Sequence, residues 1–223
     1  MRAKVFGLGA FGNPQYPEHL RKRIESGYTD KRIEPPPARE KELQTLRNIY
    51  GDAQSRIYTG ASATEEWAKG ELNRYRVLHF AAAAVLDDVS PMYSFIALAP
   101  GGPNPPDDGL LQNWETLNLN SRANLVVLSA ASMNRTTLGA GNASVSTLWS
   151  WFVAGTSAVL LGRWRVESPG VAVLMRDFHN SLKSKPSASK TEALRQSALK
   201  LRRSGEYAHP YFWSGFALLG DAR

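Results

Sequence analysis

The sequence predicts an α/β fold built on a mainly parallel central sheet. Short apolar runs alternate with helical patterns along the whole chain, the signature of strand–helix–strand units. Two of the runs, Tyr75–Ala82 and Ala123–Ala130, are apolar almost throughout, as expected of strands covered on both faces. Right-handed crossovers then place helices on both sides of the sheet. The chain has 223 residues, 43% of them hydrophobic, which suits one domain over residues 1–223.

In chain order, Lys4–Leu8 reads as a strand ending in Gly7-Leu8-Gly9, and Ala10–Pro37, rich in Gly, Pro and charge, as a long loop. Leu43, Leu46 and Ile49 give Ala38–Tyr50 a helical spacing, stopped by Gly51-Asp52. Ser55–Thr59 is a short strand. Ser62 and Thr64 offer caps, with acids in the first turn, for a helix to about Asn73. Tyr75–Ala82 and Tyr93–Ala99 follow as strands, Gly101–Gly109 as a loop and Leu110–Leu117 as a short helix. After the buried strand Ala123–Ala130, Ser132–Ala143 is a polar loop over the strand end. Ser144–Ala154 is an apolar helix stopped by Gly155, and Ala158–Val166 is a strand. Pro169 opens a helix over Val171–Leu182. Lys190–Arg203 is amphipathic, with Leu194, Ala198 and Leu201 on one face, and Phe212–Leu219 is the last strand.

Composition excludes several chemistries. No apolar run approaches the ~18–20 residues a membrane helix needs, and the start of the chain has no signal-peptide core, so a cytoplasmic location without membrane attachment is the expectation. There is no cysteine, hence no disulfide, thiolate metal site or thiol nucleophile. His19, His79, His179 and His209 have no metal-ligand spacing, so neither a metal nor another cofactor is expected. The net charge of +7 concentrates in Arg21-Lys22-Arg23, Lys31-Arg32 and Lys200–Arg203. These runs are short and lack interleaved aromatics, which favours a solvated basic face over a nucleic-acid site.

Several segments match one pattern in order. Arg74-Tyr75-Arg76-Val77-Leu78-His79-Phe80-Ala81 resembles the Y-x-V-L-H-F-A-T-H-G strand of CHAT domains. Asp107-Asp108-Gly109-Leu110-Leu111 resembles their D-G-L-L segment, and Leu125-Val126-Val127-Leu128-Ser129-Ala130 their L-V-V-L-S-A-C. Ala154-Gly155 followed by Ala158–Val166, with Trp164, and the closing Tyr207-Ala208-His209-Pro210-Tyr211-Phe212-Trp213 and Gly220-Asp221 complete the set. The resemblance covers about residues 4–221. It implies a caspase-like α/β/α sandwich with a mainly parallel central sheet. It also implies a cysteine peptidase mechanism, in which a cysteine at one strand end attacks a peptide carbonyl and a histidine from the neighbouring strand end moves the proton.

Carried over residue by residue, the family's histidine falls on Ala83, its following glycine, an oxyanion-hole position, on Ala84, and its cysteine on Ala131. Alanine can neither attack nor carry a proton, so the resemblance implies an inactive peptidase domain. The family's Gly-Glu-Gly reads Gly141-Asn142-Ala143, a further departure. The implied partner is a protein or peptide. Because family members often follow tetratricopeptide repeats that gate them, a repeat region or repeat protein is a second expected partner, and the chain reads as a domain lacking an upstream repeat region.

Other residues could act at the same edge. His79, four residues before Ala83, would lie about 13 Å from it along a strand and reads as a buried, hydrogen-bonded histidine. Ser132 would point away from Ala131, and no Gly-x-Ser-x-Gly elbow surrounds it. Asp107 and Asp108 read as turn and cap residues or as acids of a substrate pocket. Trp164 reads as packing beneath helices or as the wall of a peptide groove. Gly7-Leu8-Gly9-Ala10-Phe11-Gly12 spells Gly-x-Gly-x-x-Gly, but Asn13-Pro14 follows where a dinucleotide site needs a helix.

Overall fold

A computed structural model describes residues 6–27, 38–101, 107–130, 133–134, 141–164, 166, 169–184 and 189–223. The expectations for Lys31-Arg32, Ala131 and Ser132 lie outside these residues. A six-stranded sheet in the order β10-β9-β7-β3-β1-β2 forms the centre. Its strands are β1 (Phe6–Pro14), β2 (Ser55–Gly60), β3 (Tyr75–Ala81), β7 (Leu125–Leu128), β9 (Ala158–Gly162) and β10 (Phe216–Gly220). All neighbours run parallel except β9 and β10, which are antiparallel.

Alternation along the strands divides the core in two. Leu78, Phe80, Val126 and Leu128 face α3 (Glu65–Glu71) and α5 (Asn142–Val153), where Trp151 is buried. Val127, Leu125 and Leu160 face α6 (Pro169–Ser184) and α7 (Lys190–Arg203), while Leu8 and Ala10 face α2 (Ala38–Tyr50) through Leu43 and Leu46. This is the α/β sandwich with a mainly parallel sheet. One cap lies where the sequence offers it, the Thr64 side chain accepting from Trp67 N at 3.2 Å; Ser189 adds another, accepting from Glu192 N at 3.1 Å.

Three expectations are corrected. The stretch Ala10–Pro37 is not one long loop, because β1 continues to Pro14 and α1 (Glu18–Gly27) follows. Leu20 and Ile24, one turn apart, give this charge-dense helix its buried face. Within β1 the glycines serve packing. A side chain at Gly9 would meet the Tyr75 ring and one at Gly12 would meet Ala81, so Gly7–Gly12 is strand and not a phosphate loop. Tyr93–Ala99 does not join the central sheet. It shortens to β5 (Phe95–Ala97), in a second sheet of order β6-β5-β4-β8 with β4 (Ala84–Leu86), β6 (Leu110–Gln112) and β8 (Met133–Asn134). Leu110–Leu117 is accordingly a strand, β6, followed by a single helical turn, α4 (Asn113–Thr116), rather than one helix. A short helix, α8 (Pro210–Trp213), precedes β10.

Candidate active site

Because β1, β3, β7 and β9 are parallel, their C-terminal ends share one edge, where α/β folds place ligands. The second sheet stands on that edge. The chain leaves β3, bends at Ala82-Ala83 and re-enters as β4; likewise it leaves β7 and re-enters as β8. His79 pairs with Val127 in the first sheet and Val85 with Met133 in the second. Both pairs are 48 residues apart (127 minus 79, 133 minus 85), and so are positions 83 and 131. Ser129 N donates to the Phe80 carbonyl at 3.1 Å on the last described rung before position 131.

Ala83 is half-buried and packs with Tyr16 against the cluster of Leu20, Ile24 and Val85. Its carbonyl accepts from Ala97 N at 2.8 Å, and the Tyr16 hydroxyl donates to the Ala97 carbonyl at 3.1 Å. Burial holds that hydroxyl well above its usual range. Ala84 is buried in β4 opposite Ile96.

Beneath this edge lies a buried polar chain. His79, fully buried, places Nε2 2.9 Å from Glu42 Oε1 and Nδ1 3.1 Å from His179 Nε2. His179 Nδ1 lies 3.1 Å from the Tyr50 hydroxyl. Each ring nitrogen of the pair thus has a partner: the Tyr50 hydroxyl and His79 for His179, and His179 and Glu42 for His79. Burial pushes the Glu42 carboxyl up, but the Arg39 charge and the His79 contact outweigh it and hold the group down at about 2. Burial, reinforced by the neighbouring His79, keeps His179 well below its ordinary value and therefore neutral. Arg39 Nη1 bonds Glu42 Oε2 at 2.9 Å and reaches the Ser129 carbonyl at 3.3 Å. The network therefore anchors the end of β7 from below. His79 is the buried, hydrogen-bonded residue expected from sequence; its partners Glu42 and His179, and Arg39 beyond Glu42, come from distant segments and carry no local sequence signal.

Asp107 and Asp108 are both engaged. Asp107 Oδ1 pairs with Lys69 at 2.6 Å, and the same ammonium binds Glu65 at 2.8 Å and Glu115 at 2.7 Å. The three carboxylates converge within 4.8 Å, a spacing a cation could use, but Lys69 already fills it. Three acids share one ammonium. Burial above all, together with the charge of Glu115, raises Glu65 to about 7, while its acidic partners hold Lys69 above its usual range. Asp108 Oδ1 caps Leu110 N at 3.0 Å, and its Oδ2 pairs with Arg23 at 2.9 Å. The turn-and-cap role is thus present, and the segment is tied to α1 and α3. Trp164 follows β9 at the same edge; its Nε1 donates to the Tyr211 carbonyl at 3.1 Å beneath α8, and Arg163 lies 5.4 Å over its ring. The structure therefore brings Ala83, Ala84 and Trp164 to strand ends at one edge, while Ala131 lies outside the described residues.

Residues 7–221 match the CHAT domain family. The chain belongs to that family. No curated protein matches this CHAT domain. Among solved structures it is similar to separase in the Saccharomyces cerevisiae separase–securin complex, with a TM-score of 0.52 at 12% identity. That likeness covers 99% of the CHAT domain but only 12% of the separase chain, and it identifies the fold as caspase-like. Among the described residues no helix is long and apolar enough to cross a membrane.

Proposed function

We propose that this CHAT domain is a pseudopeptidase: a caspase-like domain that binds a protein or peptide at its C-terminal sheet edge and does not cleave it. The observation that carries the reading is alanine at both 83 and 131, positions with the same 48-residue offset as the register partners on either side. The family route needs a thiolate and an imidazole there. Without either, any residual activity falls about 10²–10⁶-fold below an intact enzyme, as for triad knockouts. Binding is supported by the site's location and by Trp164 at the end of β9; Asp107 and Asp108, already paired with Lys69 and Arg23, would contribute only if a ligand exchanged for those partners. Ala84 would supply backbone to an oxyanion hole that has lost its reaction. A protein partner is in keeping with the similar separase structure, which holds securin, and the family resemblance adds a tetratricopeptide-repeat region; a cytoplasmic setting rests on the sequence's lack of a membrane-length apolar run or signal-peptide core.

The alternative is a cysteine endopeptidase whose dyad has been replaced by alanine in this sequence. The change at Gly141-Asn142-Ala143 favours natural loss: this segment now opens α5, where Asp88 Oδ1 accepts from Ala143 N at 2.8 Å. The nucleic-acid reading rests on charge alone, and Arg23 is paired with Asp108.

The test is cleavage of mixed fluorogenic peptides by the purified chain, with and without a thiol-alkylating reagent. No turnover is expected. The Ala83→His/Ala131→Cys chain should gain weak, alkylation-sensitive cleavage. Turnover by the unaltered chain that tracks the purified protein would sink the pseudopeptidase reading.

A further inference from the structure

Helix α5 has an unusual surface. None of its twelve residues is charged, although the protein carries a net charge of +7. Its buried face uses Leu148 and Trp151, yet the opposite face is also apolar: Val145 is 66% exposed, Trp149 63% and Val153 50%. These three are four residues apart and form one ridge, about 12 Å long at 1.5 Å per residue. Two neighbouring elements packed on α5 also expose aromatic rings. Asn113 Nδ2 bonds both the Pro91 carbonyl at 2.9 Å and Thr147 Oγ1 at 3.0 Å, fastening α4 and the Pro91–Tyr93 turn to α5. Trp114 on α4 and Tyr93 in that turn are 46% and 58% exposed.

We propose that this face pairs with a second copy of the chain, α5 against α5 about a two-fold axis near Trp149. Two observations select this occupant. The ridge reads Val–Trp–Val, the same in both directions. An antiparallel pairing therefore sets Trp149 against its own equivalent and Val145 against Val153 of the second copy, the self-complementarity a two-fold interface requires. The uncharged helix also lets two chains of like net charge meet without apposing charges across the contact. Three aromatics of ~150–250 Å² each, about half exposed, and two valines offer on the order of 400–500 Å² per copy. A standard interface buries about 800 Å² per partner. The pairing is therefore of the small, transient class and concentration-dependent.

The inference is independent of the peptidase reading. Sedimentation velocity from low to several hundred micromolar protein should show a reversible monomer–dimer equilibrium. Trp149→Glu should leave only monomer over that range while the far-ultraviolet dichroism and melting temperature stay those of the unaltered chain. The absence of cysteine permits a second test that does not depend on Trp149. With a short thiol-to-thiol cross-linker, a mixture of Val145→Cys and Val153→Cys chains should cross-link, and neither alone should do so comparably. A monomer at every concentration would overturn the proposal. So would a dimer indifferent to Trp149→Glu, or cross-linking that favours like with like.

Discussion

At the scale of single residues, the buried Glu42–His79–His179–Tyr50 chain makes stability depend on pH in two steps. His179 takes up a proton less readily folded than unfolded. Its contribution is complete above the unfolded value near 6.5 and is lost as pH falls below it, by up to about 1.4 kcal/mol per pH unit for one proton. Glu42, held at about 2, acts the same way lower down: its contribution is complete above the unfolded value of 4.5 and fades as pH drops towards 2. The melting temperature should therefore decline from pH 7 to pH 5 and again below pH 4.5. His179→Asn should remove the first decline and keep the second. An unchanged slope between pH 7 and 5 in that variant would assign the step to another group. His19 and His209 are exposed and lie outside the network.

At the scale of elements, the packing of β1 sets a sharper limit than its composition suggests. A methyl group at Gly9 would lie 2.5 Å from the Tyr75 ring, and that ring is fixed by full burial and by a 3.0 Å contact between its hydroxyl and that of Tyr58. Gly9→Ala should cost about 1–3 kcal/mol through overpacking. Thr64→Ala, which removes only the α3 cap, should cost about 1 kcal/mol. Urea denaturation would rank them, and a neutral Gly9→Ala would show that the Tyr75 ring yields. The same elements show what sequence can and cannot disclose. Tyr75–Ala81 and Leu125–Leu128 are legible because strands buried on both faces leave an uninterrupted apolar run. The second half of β1 and all of α1 are hidden because their glycines, prolines and charges mimic a loop, although Leu20 and Ile24 at helical spacing were the available signal. The small sheet is hidden because its strands are two or three residues long and are defined only by their partners. At the candidate site, motif matching is what nominates positions 83 and 131. The Arg39–Glu42–His79–His179 contacts could not, since His79 and His179 meet across 100 residues of sequence.

At the scale of the whole molecule, the strand order has a kinetic consequence. Register partners in the central sheet are never close in sequence: the nearest, Val126 and Val159, are 33 residues apart (159 minus 126), and Leu8 and Val77 are 69 apart (77 minus 8). Even the antiparallel pair β9 and β10 joins Gly162 to Phe216, 54 residues on (216 minus 162). No hairpin can nucleate this sheet, so chain-closure entropy is spent before any of its ladder forms. Refolding from denaturant should therefore be slow for a domain of this size, in the range of milliseconds to seconds or longer, and it should expose unpaired parallel edges on the way. Stopped-flow tryptophan fluorescence, to which the buried Trp151 contributes among six tryptophans, would follow it; submillisecond recovery would mean that local contacts, not the sheet, set the rate. Synthesis from the N-terminus eases the problem, because β1, β2 and β3 form a contiguous wing of the sheet and all three leave the ribosome before β7 is made. The domain can assemble in the order in which it is translated, with β3 as the seam on which the later wing is laid.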